Sequence, residues 1–100
     1  MAIEVAWSLA ALEDLESIAS YIDRDSASYA RAVVERILDV ASTLAEFPGR
    51  GRVVPELGDV AIRERFVYSY RLIYRVEPTR VLIVAILHGR RLMESVSDRF

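Results

Sequence analysis

The chain has 100 residues, 53% of them apolar, with 13 arginines, no lysine, one histidine and no cysteine. That length holds one hydrophobic core, so residues 1–100 are read as a single domain, and the composition excludes disorder, disulfides and thiolate or multi-histidine metal sites; no metal and no cofactor is expected. The net charge of −2 conceals a split: residues 1–49 carry three arginines against nine acids, net −6, and residues 50–100 carry ten arginines against six acids, net +4, which points to an anionic partner for the second half.

The opening, Met1 to Val5, has neither a positive segment nor a long apolar run, so no leader is expected. Ile3, Val5 and Trp7 alternate onto one face of a short strand. Ser8 is placed to cap a helix, its hydroxyl accepting from an amide of the first turn. Leu12, Leu15, Ile18, Ala19 and Ile22 recur at helical spacing, with Glu13, Asp14, Glu16 and Asp23 mostly off that stripe. Asp25-Ser26 interrupts the pattern and offers the next cap. Ala30, Val33, Val34, Ile37, Leu38, Ala41, Leu44 and Ala45 then predict a second helix. It should end at Phe47, because proline disfavours helical geometry in the residue before it. So short a link predicts an antiparallel helical hairpin.

Residues 48–58, with three glycines and two prolines, read as loop. The period then changes to two. Val60, Ile62 and Phe66 alternate with Ala61, Arg63 and Arg65, and Tyr70, Leu72, Tyr74 and Val76 alternate with Arg71, Ile73 and Arg75. Pro78-Thr79 marks a turn. Val81 to Leu87 is apolar on both faces, which predicts a central strand. At seven residues this longest apolar run is far short of the ~20 that a spanning helix requires, so no membrane partner and a cytoplasmic location are expected. Residues 89–100 form a polar tail without a pattern. The order β-α-α-β-β-β predicts an α+β fold: a short N-terminal strand and a two-helix antiparallel hairpin packed on a small antiparallel sheet.

The arginines carry the functional signal. Alternation places Arg71 and Arg75 on the sheet face away from the helices, where Arg63, Arg65, Arg90 and Arg91 are expected to join them. Guanidinium groups bind phosphate or carboxylate with paired donors, so nucleic acid or an acidic protein segment fits such a face. The competing expectation is that Arg71 and Arg75 are consumed in ion pairs with Glu64 and Glu77. His88, at the end of the central strand, is a candidate general base or a half-buried structural side chain. Tyr70 and Tyr74 are expected in the core. There is no Gly-x-Ser-x-Gly and no phosphate-binding glycine loop.

Four segments in order resemble the RelE/ParE superfamily of type II toxin–antitoxin toxins. They are Trp7 to Ile22 (the Trp…Ala…Asp-Leu…Ile…Tyr-Ile opening), Pro48-Gly49-Arg50-Gly51-Arg52 (its Pro-x-x-Gly-Arg turn), Tyr70-Arg71-Leu72-Ile73-Tyr74 (its Tyr-Arg strand) and His88-Gly89-Arg90-Arg91 (its His-x-x-Arg end). The resemblance implies two helices over a small sheet. It also implies a toxin of a plasmid-stabilisation module, bound as a hetero-oligomer by a ParD-like antitoxin whose acidic tail folds on binding. One branch of the superfamily inhibits DNA gyrase without chemistry; the other cleaves mRNA on the ribosome. This sequence lacks the nuclease branch's lysines and C-terminal tyrosine, which favours the gyrase branch. In the nuclease alternative Arg71 and either Arg90 or Arg91 would stabilise phosphorane charge and His88 would move protons. In the gyrase branch Arg63, Arg65, Arg71, Arg75, Arg90 and Arg91 would serve partner binding. A regulatory member that binds antitoxin and harms nothing is the third possibility.

Overall fold

The computed structural model describes residues 3–89, 91 and 93–100. Strand β1 (Glu4–Trp7) leads into helix α1 (Leu9–Asp23), and α2 (Ala27–Thr43) follows. Then come β2 (Arg52–Val53), β3 (Ile62–Val67), β4 (Tyr70–Val76), β5 (Arg80–His88) and a C-terminal 3-10 segment, Met93–Arg99. The five strands form one sheet in the order β1-β5-β4-β3-β2. Both expected caps form: the Ser8 hydroxyl accepts from the Ala11 amide and the Ser26 hydroxyl from the Tyr29 amide, each at 3.1 Å.

The α+β expectation is met, with three corrections. The sheet is mixed, because β1 runs parallel to its neighbour β5 while the other pairs are antiparallel. The expected loop contains β2, which pairs with β3. Helix α2 stops at Thr43 rather than Phe47. The amides of Leu44, Ala45 and Glu46 bond three residues back instead of four, so the helix tightens ahead of Pro48. In the tail, where the sequence shows no pattern, Met93–Arg99 forms the 3-10 segment and buries Met93 and Val96.

Apolar side chains fill both faces of the sheet. On the helix side Ala11, Ile22, Val33, Ile37 and Leu44 pack against Leu72, Tyr74, Ile83 and Ile86. The stripe on α1 runs through Ala11 rather than Leu12, which is 46% exposed. On the other side Ile62, Ile73, Ala85 and Leu87 are covered by Val54, Met93 and Val96. One extra residue in β5, at Val84, shifts the register between Ile73 and Tyr74. This bulge is why Ile83 and Ile86, of opposite parity, serve the same core.

Strand β1 ends opposite Ile83, which leaves the last part of β5 without a neighbour on that edge. Two side chains replace it. Asp14 accepts from the Ile86 amide at 3.0 Å, and Arg99 donates to the Val84 carbonyl at 3.2 Å. The two also pair with each other at 2.6 Å, so the last turn of the chain is fastened to α1. This fastening, between residues 85 positions apart, had no local signal.

Val67 pairs with Tyr70, so β3 and β4 are joined by the two-residue turn Tyr68-Ser69. Tyr68 has φ of 53°. A positive φ at the first turn residue is where such hairpins carry glycine, and a tyrosine there costs about 1–2 kcal/mol.

Candidate functional site

The β3–β4 register decides where the arginines point. Ile62, Glu64 and Phe66 stand opposite Arg75, Ile73 and Arg71, so these six share the face away from the helices. Arg63 and Arg65 stand opposite Tyr74 and Leu72 and therefore lie on the helix face. The expectation that they join Arg71 is corrected: the alternation in β3 was legible, but its phase against β4 is set by the two-residue turn. Arg63 is used locally, donating to the carbonyls of Val60 and Gly51 at 3.0 Å each. Arg65 is half-buried, and its Nη1 is buried without a hydrogen-bond partner.

Nor is the face away from the helices an open basic surface. Arg71 is buried, with a side chain 8% exposed. Its Nε donates to the buried Glu64 carboxylate, and its two terminal nitrogens grip both oxygens of Glu56 at 2.7 Å. The other Glu64 oxygen accepts from Arg52 Nε at 2.7 Å. The Arg52 guanidinium lies 5.0 Å over the Phe66 ring. The result is a line of alternating charge, Arg52–Glu64–Arg71–Glu56, with no net charge. Arg75 is half-buried, 3.9 Å from Glu77, and donates to the Arg99 carbonyl. The ion-pair expectation for Arg71 with Glu64 and Arg75 with Glu77 is therefore met. Glu56 was missed; it sits in a loop where no periodicity marks its direction.

Two of the motif segments meet here. The Tyr74 hydroxyl is buried between them, donating to the Pro48 carbonyl and accepting from the Gly51 amide, both at 2.8 Å. Burial pushes its pKa up, which keeps it a donor. Arg52, next in that turn, reaches Arg71 of the Tyr-Arg strand through Glu64. The Gly-Arg turn and the Tyr-Arg strand thus clamp β2 to the sheet.

Beside this line a cavity of about 560 Å³ is lined by Glu56, Arg71, Gly89, Arg91, Met93 and Glu94. Arg91 is exposed at its rim. Arg90 lies outside the described residues. His88 stands opposite Tyr70 on the helix face, its ring edge-on to that tyrosine at 5.5 Å. Arg71 stands opposite Leu87 on the other face. Structure thus brings Arg71 and Arg91 to one cavity and puts His88 on the far side of the sheet from Arg71. Among the described residues no three acidic or histidine side chains gather in a way that could hold a metal ion, and no helix is long and apolar enough to cross a membrane.

The Arg71 guanidinium holds the Glu56 carboxyl far below its ordinary 4.5, at about 2. A group depressed in the fold contributes stability above its unfolded pKa and loses it as pH falls through the folded value. The Glu56 pairing should therefore act fully above about pH 4.5 and fade towards pH 2. Because 42% of the Glu56 side chain meets solvent, screening reduces its worth to about 1 kcal/mol. Glu56→Gln is expected to lose that amount at pH 7 and only a small part of it at pH 2, read from urea unfolding at both; equal losses at the two pH values would refute the pairing.

The fold places the chain among known structures. It is similar to the chromosomal ParDE toxin–antitoxin system of P. aeruginosa, with a TM-score of 0.71, 19% identity, and coverage of 86% of this chain and 95% of that one. It is also similar to the RelBE2 toxin–antitoxin complex of Mycobacterium tuberculosis, with a TM-score of 0.64, 20% identity and coverage of 88% and 99%. A helical hairpin on this mixed sheet is thus the architecture of RelE/ParE-type toxins. The family model described as the ParE toxin of the type II toxin–antitoxin system parDE matches residues 5–93, and the chain belongs to that family. Among relatives, it is 38% identical over 90 residues to Toxin RelE2 of Caulobacter vibrioides, covering 89% of this chain and 98% of the relative.

Proposed function

We propose that this toxin acts by binding, with DNA gyrase as its target, and that a ParD-like antitoxin neutralises it. The observation that carries this reading is the separation of Arg71 from His88 on opposite faces of the sheet. Cleavage of an RNA backbone needs the groups that move protons and those that stabilise charge around one phosphate. Arg71 is moreover held by two carboxylates, so a phosphate would have to displace Glu56 to reach it. A protein surface that presents its own carboxylate to the exposed Arg91 needs no such exchange. The acidic antitoxin tail fits the same rim, with Arg91 as its contact and Arg71 supporting the surface from within.

The ribosome-dependent endonuclease is the second reading, favoured by 38% identity to a relative named Toxin RelE2. Tightly regulated expression without antitoxin separates the two. Filamentation with SOS induction, and loss of supercoiling by purified gyrase when the purified toxin is added, are the expected results. Rapid translation arrest with cleaved mRNA would overturn the gyrase target in favour of the nuclease.

A further inference from the structure

The helix face of the sheet carries a second site, across the sheet from the Arg71–Arg91 cavity. Where the α1–α2 turn meets the β3–β4 turn, a cavity of about 230 Å³ is walled by Tyr21, Tyr29, Tyr68, Tyr70, His88 and the carboxylate-bearing Asp25. Its size is that of one amino-acid side chain, below the ~300–1,000 Å³ that holds a drug-sized ligand.

The walls are built with some effort. Tyr21, Tyr29 and Tyr68 are each more than half exposed, although nothing in the packing requires tyrosine there. Tyr68 takes a backbone conformation suited to glycine, and that conformation sets its ring 6.4 Å from Tyr29 at an interplanar angle of 54°. Strain kept where a glycine would relieve it points to a use for the side chain. Tyr70 closes the inner end, half-buried and edge-on to His88.

We infer that this is an aromatic cage for the guanidinium of an arginine presented by a protein partner. Aromatic faces attract a desolvated cation, and Asp25 supplies the counter-charge. Charge also separates this occupant from a stacked nucleobase. Residues 9–43, the two helices and their link, hold seven acids and three arginines, which repels a phosphate backbone and draws a basic segment. The site is distinct from the Arg71–Arg91 cavity and stands whichever cellular target the toxin has.

The probe is N-acetyl-arginine amide, titrated into the purified toxin and followed by the ring resonances of the tyrosines. Saturable shifts at Tyr21, Tyr29, Tyr68 and Tyr70 are expected, with dissociation in the millimolar range suited to one unlinked side chain. The citrulline analogue, equal in shape and uncharged, should bind at least ten-fold more weakly, and so should uridine monophosphate. Tyr68→Gly should relax the turn, keep or raise Tm, and lose at least ten-fold in affinity. Tyr29→Ala, on an exposed helix position, should lose affinity without unfolding the protein. Citrulline binding as well as arginine, preference for the nucleotide, or full affinity in a folded Tyr68→Gly or Tyr29→Ala protein would each overturn the cage.

Discussion

Glu64→Ala is expected to destabilise the protein by about 3–5 kcal/mol, because it removes one partner of a buried ion pair and leaves the other behind. The Glu64 side chain is fully buried, and it accepts from Arg52 on one oxygen and Arg71 on the other. With it gone, the buried Arg71 keeps Glu56 alone, and that carboxylate lies towards solvent. Stability of a domain this size is ordinarily ~5–15 kcal/mol, so such a loss leaves a marginal fold. Each kcal/mol shifts the melting temperature by roughly 4–8 °C in a domain of 60–100 residues, so a fall of at least about 12 °C is expected by thermal melting. Arg52→Ala is the contrast. Its side chain is 56% exposed, and its loss should stay near or below about 1 kcal/mol. A Glu64→Ala protein within about 1 kcal/mol of the parent would show that hydrophobic cover, rather than the line of charges, holds the second face.

The second large effect belongs to Gly51. A Cβ there would lie 2.5 Å from the Tyr74 hydroxyl and 2.6 Å from the Glu64 carbonyl oxygen. Both are fixed: the hydroxyl by bonds to Pro48 and Gly51, and the carbonyl by its place in paired strand β3. Gly51→Ala therefore forces β2 off the sheet edge, at about 2–3 kcal/mol. Tyr74→Phe removes one of the two clashes, leaving that with the Glu64 carbonyl, but strands the Gly51 amide and the Pro48 carbonyl, at about 1–3 kcal/mol. The double variant should lose less than the sum of the two, since the clash and the hydrogen bond share one oxygen. Urea midpoints at constant slope measure all three. Strict additivity, or a harmless Gly51→Ala, would contradict the close approach.

These two sites explain what the family-like motifs encode. Gly51, Arg52, Arg71 and Tyr74 were legible as motif residues, Arg71 as part of a binding face and Tyr74 as a core side chain. In the structure their contacts are with one another, with Glu64 and Glu56, and with the Pro48 carbonyl. The motif positions fasten the fold, and Arg91 stands exposed beside them at the rim of the cavity. Glu56 escaped notice because a loop has no period to announce which way a side chain turns. The tyrosines of the hairpin end escaped for a related reason. Tyr21 and Tyr29 belong to helices and Tyr68 and Tyr70 to a strand turn, and nothing in their spacing says that the two turns meet.

Local order was readable because it depends on neighbours in sequence. Helical spacing, the caps at Ser8 and Ser26, the change to a two-residue period and the central position of β5 all rest on interactions within a few residues. The sequence by itself therefore determined the α+β class, the helical hairpin and the family. Tertiary structure alone decided which arginines are free. That depends on the phase of β3 against β4, on a loop carboxylate arriving beneath Arg71, and on a C-terminal segment closing over the sheet. Each of these is a contact between distant residues, and an arginine's charge is spent or available according to what such contacts bring within hydrogen-bonding reach.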